Sequence, residues 1–281
     1  MARKRSQGLS FRAPQTPREH TVLRIPGSHT LYVGPPSCMR RHALKHLRHG
    51  CDNVASYLRV TQADVVSGSY EELVVEAVAA LEAELTPPPS VLFITVFCVD
   101  DFLGTDADAL VGLLEATWPR TRFVVDRVHP VAAGEKTVMS DAKAKNLYAF
   151  LDPVPSELHD GGVNLVGSFV PLNPASEFFA VLDAWGLGPV RQLFDCATYD
   201  DYQAMARSRL TVVTRFGGRS AARTMEADLG IPWADFEPCY DVDRIAERYQ
   251  ALAHAAEKPA VDCTAWVAET RTRIEETLAL V

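Results

Sequence analysis

The chain has 281 residues and a formal net charge of −8; 47% of its residues are hydrophobic and 23% are charged. This composition excludes a wholly disordered chain, and the length predicts about two domains. The longest apolar runs fall far short of the ~20 residues of a membrane helix, six cysteines are too few for a disulfide scaffold, and the acidic balance argues against a nucleic-acid binder. The basic N-terminus lacks the apolar core of a secretory signal, so we expect a soluble cytoplasmic protein.

Residues 1–20 contain five lysine or arginine residues and one glutamate, and they predict a solvated, disordered arm. From residue 30 onward, strand-like and helix-like segments alternate. In the first half we predict strands at 31–33, 63–66, 91–97 and 122–128, and helices at 39–49, 70–85 and 106–118. The helix at 39–49 is basic, and its spacing predicts that Leu44 and Leu47 face inward while the basic side chains face solvent.

The second half continues the alternation. We predict strands at 163–169, 190–194 and 210–214, and helices at 175–185, 199–208, 220–229, 243–256 and 264–280. This order predicts an α/β fold of two Rossmann-like domains, with mainly parallel sheets flanked by helices. Proline and glycine cluster near residues 152–162, so we place the first domain at 21–158 and the second, with its C-terminal helices, at 159–281.

Two cysteines follow predicted strands, which is where open parallel sheets bind ligands. Cys38 comes after the first strand, behind a Gly-Pro-Pro turn, and Cys98 ends the most hydrophobic strand. Two thiols at neighbouring strand ends can point into the same space, and thiolates suit iron–sulfur clusters, zinc or copper(I). Alternatively, each cysteine is a small buried apolar residue. Cys51 is either a third ligand or structural, and we interpret the other cysteines as structural: Cys196, Cys239 and Cys263.

The remaining polar candidates have simple structural alternatives. Asp100 and Asp101 follow Cys98 and either complement a helix N-terminus or act beside a metal cluster. The pair Gly217 and Gly218 opens a helix and either binds an anion, as in a small-molecule transferase, or makes a tight turn. Three histidines of the basic helix are expected on a solvated face: His42, His46 and His49. The sequence contains no dinucleotide-binding, Walker A or nucleophile-elbow motif.

Several short motifs occur in a fixed order along the chain. They are Gly-Pro-Pro-Ser-Cys at 34–38, Ala-Asp-Val-Val-Ser-Gly at 63–68 and Cys-Val-Asp-Asp-Phe-Leu-Gly-Thr-Asp at 98–106, followed in the second half by 163–167, 210–225, 230–232 and 238–242. Taken in this order, the motifs resemble the nitrogenase component 1 superfamily. The likeness covers most of the chain and is greatest to the compact nitrogenase-like proteins of anaerobic bacteria.

The resemblance implies an iron–sulfur cluster of the [4Fe-4S] type at a subunit interface, bound by Cys38 and Cys98. Two further ligands would come from a second copy in a homodimer or from a homologous component 1 subunit. The resemblance also implies an ATP-dependent iron–sulfur reductase as electron donor. The chain would then be an oxidoreductase subunit that relays electrons to an unknown substrate, without membrane or nucleic-acid partners.

The sequence also departs from the family pattern. It has room for two α/β domains where larger members have three, residues 1–37 contain no cysteine, and Arg215 stands where one nitrogenase subunit has a cysteine that binds the catalytic metallocluster. We therefore expect no nitrogenase cofactor and no reduction of dinitrogen. The alternative function is a non-redox α/β binding or scaffold protein that kept the family fold.

Overall fold

The computed structural model describes residues 24–50, 52–128, 145–167, 175–237 and 239–279, which form two compact units. Each unit holds a four-stranded parallel sheet with flanking helices, so the predicted α/β class is confirmed. The described part of the first unit ends at residue 128, and the second begins at residue 145. Gln203 ties residues near the predicted boundary to the second unit, because its Nε2 donates to the carbonyl of Phe150 (2.7 Å) and its Oε1 accepts from the amide of Asp152 (2.9 Å).

The first unit alternates strands and helices. In chain order these are β1 (Ser28–Gly34), α1 (Pro36–Arg48), β2 (Ala55–Arg59), α2 (Gln62–Ser67), α3 (Tyr70–Glu84), β3 (Val91–Val96), α4 (Cys98–Leu103), α5 (Ala107–Thr117) and β4 (Arg122–Arg127). The strand order is β2-β1-β3-β4, and all pairs are parallel. Every residue of β3 is buried, as its continuous apolar sequence predicts.

The segment around residue 64 is a helix, so the predicted strand at 63–66 is wrong. Thr61 and Asp64 form a capping box: the Thr61 side chain accepts from the amide of Asp64, and the Asp64 carboxylate accepts from the amide of Thr61 (2.7 Å). This reciprocal capping favours a helical turn over an extended strand. The strand of this region is β2, which lies earlier in the chain at one edge of the sheet. Its half-exposed residues lack the apolar run of a central strand.

The orientation of α1 also differs from the prediction. Met39 and His46 are buried, whereas Leu44 and Leu47 are 56% and 61% exposed. His46 is buried because its Nε2 lies 3.1 Å from the hydroxyl of Tyr32, which projects from β1 beneath the helix. The expectations that the two leucines face inward and that His46 lies on a solvated face are therefore wrong.

The second unit repeats the design. Its elements are β5 (Val163–Val166), α6 (Glu177–Ala184), β6 (Val190–Gln192), α7 (Tyr199–Gln203), β7 (Leu210–Val213), α8 (Arg219–Leu229), β8 (Trp233–Asp235), α9 (Val242–Ala255) and α10 (Thr264–Leu278). The strand order is β6-β5-β7-β8. No helix in the described ranges has the length and apolar character needed to cross a bilayer.

A polar network joins the three neighbouring strands β6, β5 and β7 near their amino ends. Arg191 donates from Nη1 and Nη2 to the two carboxylate oxygens of Asp160 (2.9 and 2.6 Å), and its Nη1 also donates to the hydroxyl of Ser208 (2.9 Å). Ser208 donates to Oδ1 of Asn164, whose Nδ2 donates to the carbonyl of Met205. Asn164 and Ser208 are fully buried, so their side chains depend on this network for hydrogen-bond partners.

We expect this network to make stability depend on pH. The hydrogen bonds from Arg191 and from the amide of Gly162 lower the pKa of Asp160 in the folded state, although burial opposes them. The stabilisation is therefore complete above the unfolded pKa of about 4 and is lost as the pH falls through the lower folded value. Urea unfolding between about pH 5 and 3 should show a smaller loss of stability in Asp160→Asn than in the wild type.

The matched control is Asp228→Asn, which removes the same charge from an exposed site on α8 that forms no ion pair among the described residues. This variant should retain the pH dependence of the wild type. Equal slopes in Asp160→Asn and the wild type would contradict the prediction.

Candidate functional site

The candidate site lies at the carboxyl edge of the first sheet, between β1 and β3. These strands are parallel neighbours, with Val33 opposite Val96, so the chain leaves both at the same edge. The connection from β1 leads to β2 on one side, and that from β3 leads to β4 on the other. The strand order therefore reverses between β1 and β3, and such a switch point opens the crevice in which α/β sheets bind ligands. Cys38 and Cys98 are the two cysteines that follow these strands.

Cys38 lies in the first turn of α1, three residues after the N-cap Pro35. Its free thiol is half-buried and packs against the cluster formed by Tyr32, Met39 and Phe97. Pro36 begins the helix, and no side chain caps its N-terminus. Cys38 therefore lies at a helix N-terminus that no side chain caps, where the backbone amides favour negative charge.

Cys98 is the first residue of α4 and directly follows Phe97, so it begins a helix rather than ending the strand. Its thiol is also free and half-buried. Phe97 connects the two positions, since it precedes Cys98 and belongs to the cluster against which Cys38 packs. Gly34 makes this approach possible, because a Cβ at that residue would lie 3.0 Å from a ring carbon of Phe97.

The helix that carries Cys98 is held in place by Arg127, the last residue of β4. Its Nε donates to Oδ2 of Asp100 (3.0 Å), and its Nη2 donates to the carbonyl of Thr105 (2.8 Å). Arg127 thus binds the first half of α4 through Asp100 and the segment just after the helix through Thr105. Asp100 is only 1% exposed, so this carboxylate depends on the ion pair for its charge compensation. The sequence analysis missed Arg127, which no local motif connects with Asp100.

The hydroxyl of Thr105 is buried and has no hydrogen-bond partner among the described residues. The buried carboxylate of Asp100 has a second polar neighbour besides Arg127, since the hydroxyl of Tyr70 donates a hydrogen bond to it. Tyr70 lies on the neighbouring helix α3, and its pKa is raised by burial and by the negative charge of Asp100. Asp100 lies within α4, two residues after Cys98, and its role stays a prediction. The side chain of Asp101 lies outside the described part of the chain.

No group of three or more potential metal-ligating side chains occurs among the described residues. Within that part of the chain, the switch point brings two thiols to one edge. The third candidate, Cys51, lies outside the described residues. Burial raises the pKa of Cys196 to about 11 and also raises the pKa of Cys263, a direction that disfavours the thiolate form. Their structural roles stay a prediction.

At the carboxyl edge of the second sheet, the backbone after β5 packs closely against the turn after β7. Gly167 follows β5 with a φ of +91°, and a Cβ there would lie 2.9 Å from the carbonyl oxygen of Arg215. A Cβ at Gly218 would lie 3.0 Å from the Cα and N atoms of Gly167, so these two backbone segments also approach closely. Gly218, the second glycine of the pair before α8, therefore serves close backbone packing, which favours the tight-turn interpretation for this residue. The side chain of Arg215 is exposed.

Large apolar side chains are exposed at the same edge as the two cysteines. Phe102 lies on α4, four residues after Cys98, and is 88% exposed; Val66 on α2 is also 88% exposed. Both helices follow strands of the first sheet directly at its carboxyl end. Both apolar side chains are therefore accessible at this edge of the sheet.

The comparisons with known proteins agree with this architecture. A family model described as nitrogenase component 1 type oxidoreductase matches residues 20–279, whereas no curated protein matches the chain. The similar solved structures include "Nitrogenase Cp1 at pH 6.5" (TM-score 0.62, 16% identity) and "Nitrogenase Cp1 at pH 5" (TM-score 0.58, 18% identity). Each likeness covers 91% of this chain but only 50% and 52% of the respective solved chains, so the chain spans about half their length and shares their fold. The family match over nearly the whole sequence shows that the chain belongs to the nitrogenase component 1 type oxidoreductases.

Proposed function

We propose that the chain is an oxidoreductase subunit that binds an iron–sulfur cluster through Cys38 and Cys98. In this proposal, it receives electrons from an ATP-dependent iron–sulfur reductase and relays them to a substrate other than dinitrogen. The observation that carries the proposal is the placement of two free, half-buried thiols after adjacent strands at the switch point of the first sheet. Membership of an oxidoreductase family supports the reaction class.

The donor chemistry fits an iron–sulfur cluster in part. Both candidate ligands are cysteines, and thiolates are the usual ligands of such clusters. A four-iron cluster takes four ligands, so two thiols in each chain favour a cluster shared by two chains. The exposed Phe102 and Val66 at this edge supply apolar surface for such an association. The second chain is proposed to be another copy or a homologous component 1 subunit, and Cys51 remains a candidate additional ligand.

The chain's own residues would position and shield the group. Arg127 fixes α4 and so the direction of Cys98, while Phe97 and Tyr32 provide apolar packing beside Cys38. A bound cluster would supply one-electron transfer at a potential that depends on burial and on hydrogen bonds to its sulfurs. Asp100 is the nearest buried carboxylate in sequence to Cys98, and Arg127 and Tyr70 hold it in place on the same helix.

The proposal excludes dinitrogen as the substrate because of the residue at position 215. At the position where a nitrogenase subunit is expected to have a metallocluster cysteine, this chain carries an exposed arginine. A guanidinium remains protonated and has no lone pair to donate to a metal. The proposed substrate is therefore one reduced without that metallocluster.

The test is the iron and acid-labile sulfide content after strictly anaerobic purification. The molecular mass of the same sample in solution is measured in parallel and gives its oligomeric state. We expect about one four-iron cluster per two chains. The double variant Cys38→Ser/Cys98→Ser should lose this iron. Its matched control, Cys196→Ser/Cys239→Ser, also removes two half-buried thiols and should keep the iron.

Full iron content in Cys38→Ser/Cys98→Ser would contradict the ligand assignment. A monomer with a complete cluster would contradict the sharing of ligands between two chains. A wild-type protein that stays free of iron even after reconstitution with iron and sulfide would favour the alternative function, a non-redox binding or scaffold protein.

A further inference from the structure

Helix α1 has a second face that the fold leaves uncovered in the described structure. The helix packs on β1 and β2 through the side that contains the buried residues Met39 and His46. Leu44 and Leu47, three residues apart, lie on the other side and are 56% and 61% exposed. Residues at this spacing are neighbours on a helix surface, so the two leucines form one apolar spot.

Arginines surround this spot. Arg40, Leu44 and Arg48 follow one another at four-residue spacing, and Arg41 lies beside them. All three arginines are exposed, and none forms an ion pair with the described residues. The helix contains no acidic residue, although the chain as a whole carries a net charge of −8. We call the surface made by these five residues the basic face of α1.

The arginines and leucines together determine which kind of partner fits the basic face of α1. A symmetric contact between two copies would bring arginines against arginines, which is unfavourable. Phosphates of a nucleic acid would pair with the arginines but leave the leucines in water. A helix that lies on a membrane needs a continuous apolar side, whereas the more buried side of α1 is already packed on the sheet. An acidic protein segment with apolar side chains satisfies both parts of the surface.

We propose that the basic face of α1 docks an acidic helical segment of another protein. The apolar side chains of that segment would cover Leu44 and Leu47, and its carboxylates would pair with Arg40, Arg41 and Arg48. The proposal goes beyond the proposed redox function and does not depend on it, since every residue involved is available without iron.

The test uses the full chain and a fluorescein-labelled peptide of about 18 residues, with leucines at helical i, i+3, i+4 spacing and glutamates between them. Fluorescence anisotropy at low salt should show saturable binding that weakens as salt rises, because exposed ion pairs are screened. The variant Leu44→Ser/Leu47→Ser should bind about tenfold more weakly. The triple variant Arg40→Gln/Arg41→Gln/Arg48→Gln should lose at least as much affinity, together with most of the salt dependence.

Two controls separate this face from general surface properties. Leu113→Ser/Leu158→Ser removes two leucines that are 55% and 52% exposed elsewhere and should bind like the wild type. A peptide with glutamine in place of glutamate should bind at least about tenfold more weakly. All variants change exposed residues, and equal thermal unfolding would verify that their folds are intact.

Unchanged peptide affinity in Leu44→Ser/Leu47→Ser would overturn the proposal. Tighter binding of the wild type to phosphatidylserine vesicles or to duplex DNA than to the acidic peptide would also overturn it. A dimer of the wild type that Leu44→Ser/Leu47→Ser dissociates would assign the face to a second copy and refute the acidic partner.

Discussion

Replacing Arg127 by methionine should lower the free energy of unfolding by about 3 kcal/mol. The change keeps the apolar stem but removes the guanidinium that compensates Asp100, which is 1% exposed, and that donates to the carbonyl of Thr105. A buried carboxylate without its partner is costly, and the loss falls at the lower end of the range for buried pairs because Arg127 itself is 38% exposed. Chemical denaturation at neutral pH measures the change.

Two further variants isolate the cause. Arg271→Met breaks an ion pair with Asp243 in which both side chains are more than half exposed, so it should cost less than about 1 kcal/mol. Asp100→Asn/Arg127→Met removes both charges and should recover much of the lost stability, since no uncompensated charge remains. Equal effects of Arg127→Met and Arg271→Met would mean that burial of Asp100 does not govern the energetics.

Replacing Gly167 by alanine should also destabilise the protein, by about 3 kcal/mol. Its φ of +91° is unfavourable for any residue with a Cβ, and that Cβ would lie 2.9 and 3.2 Å from the carbonyl oxygen and amide nitrogen of Arg215. These are backbone atoms, so the contact is relieved only if the loop after β7 moves. Thermal and urea unfolding of the full chain measure the loss.

Gly230→Ala provides the matched control. Gly230 has a φ of +69° at the end of α8, but a Cβ there would meet nothing within 4 Å. Its substitution should cost only about 1 kcal/mol, which reflects the left-handed backbone alone. The difference between the two variants measures the close packing of β5 against the β7–α8 turn, and equal losses would show that this packing contributes nothing.

Long, periodic segments were predictable from the sequence. The apolar run of β3 and the periodic helix α3 occur where they are predicted, because their side chains alone specify burial. The alternation of such segments led to two parallel sheets, and the structure confirms this class. The prediction that Cys38 and Cys98 follow neighbouring strands also holds, since β1 and β3 are paired.

Short elements at sheet edges were not predictable in the same way. β2 and β8 are edge strands of five and three residues whose side chains are partly exposed, so neither shows the apolar pattern of a buried strand. The error at α2 had a readable signal, the Thr61 and Asp64 capping box, which a short apolar run obscured.

The sequence by itself determined the α/β class, the order of most elements and the position of two cysteines after strands, because these depend on local periodicity. The tertiary structure decided which side of α1 is buried. The hydroxyl of Tyr32 on β1 forms a hydrogen bond with His46, which places His46 against the sheet and leaves Leu44 exposed. The tertiary structure also decided that Arg127 compensates Asp100 across 27 residues of chain, because the pairing of β3 with β4 brings them together. Contacts of this kind follow from strand order, which no local pattern encodes.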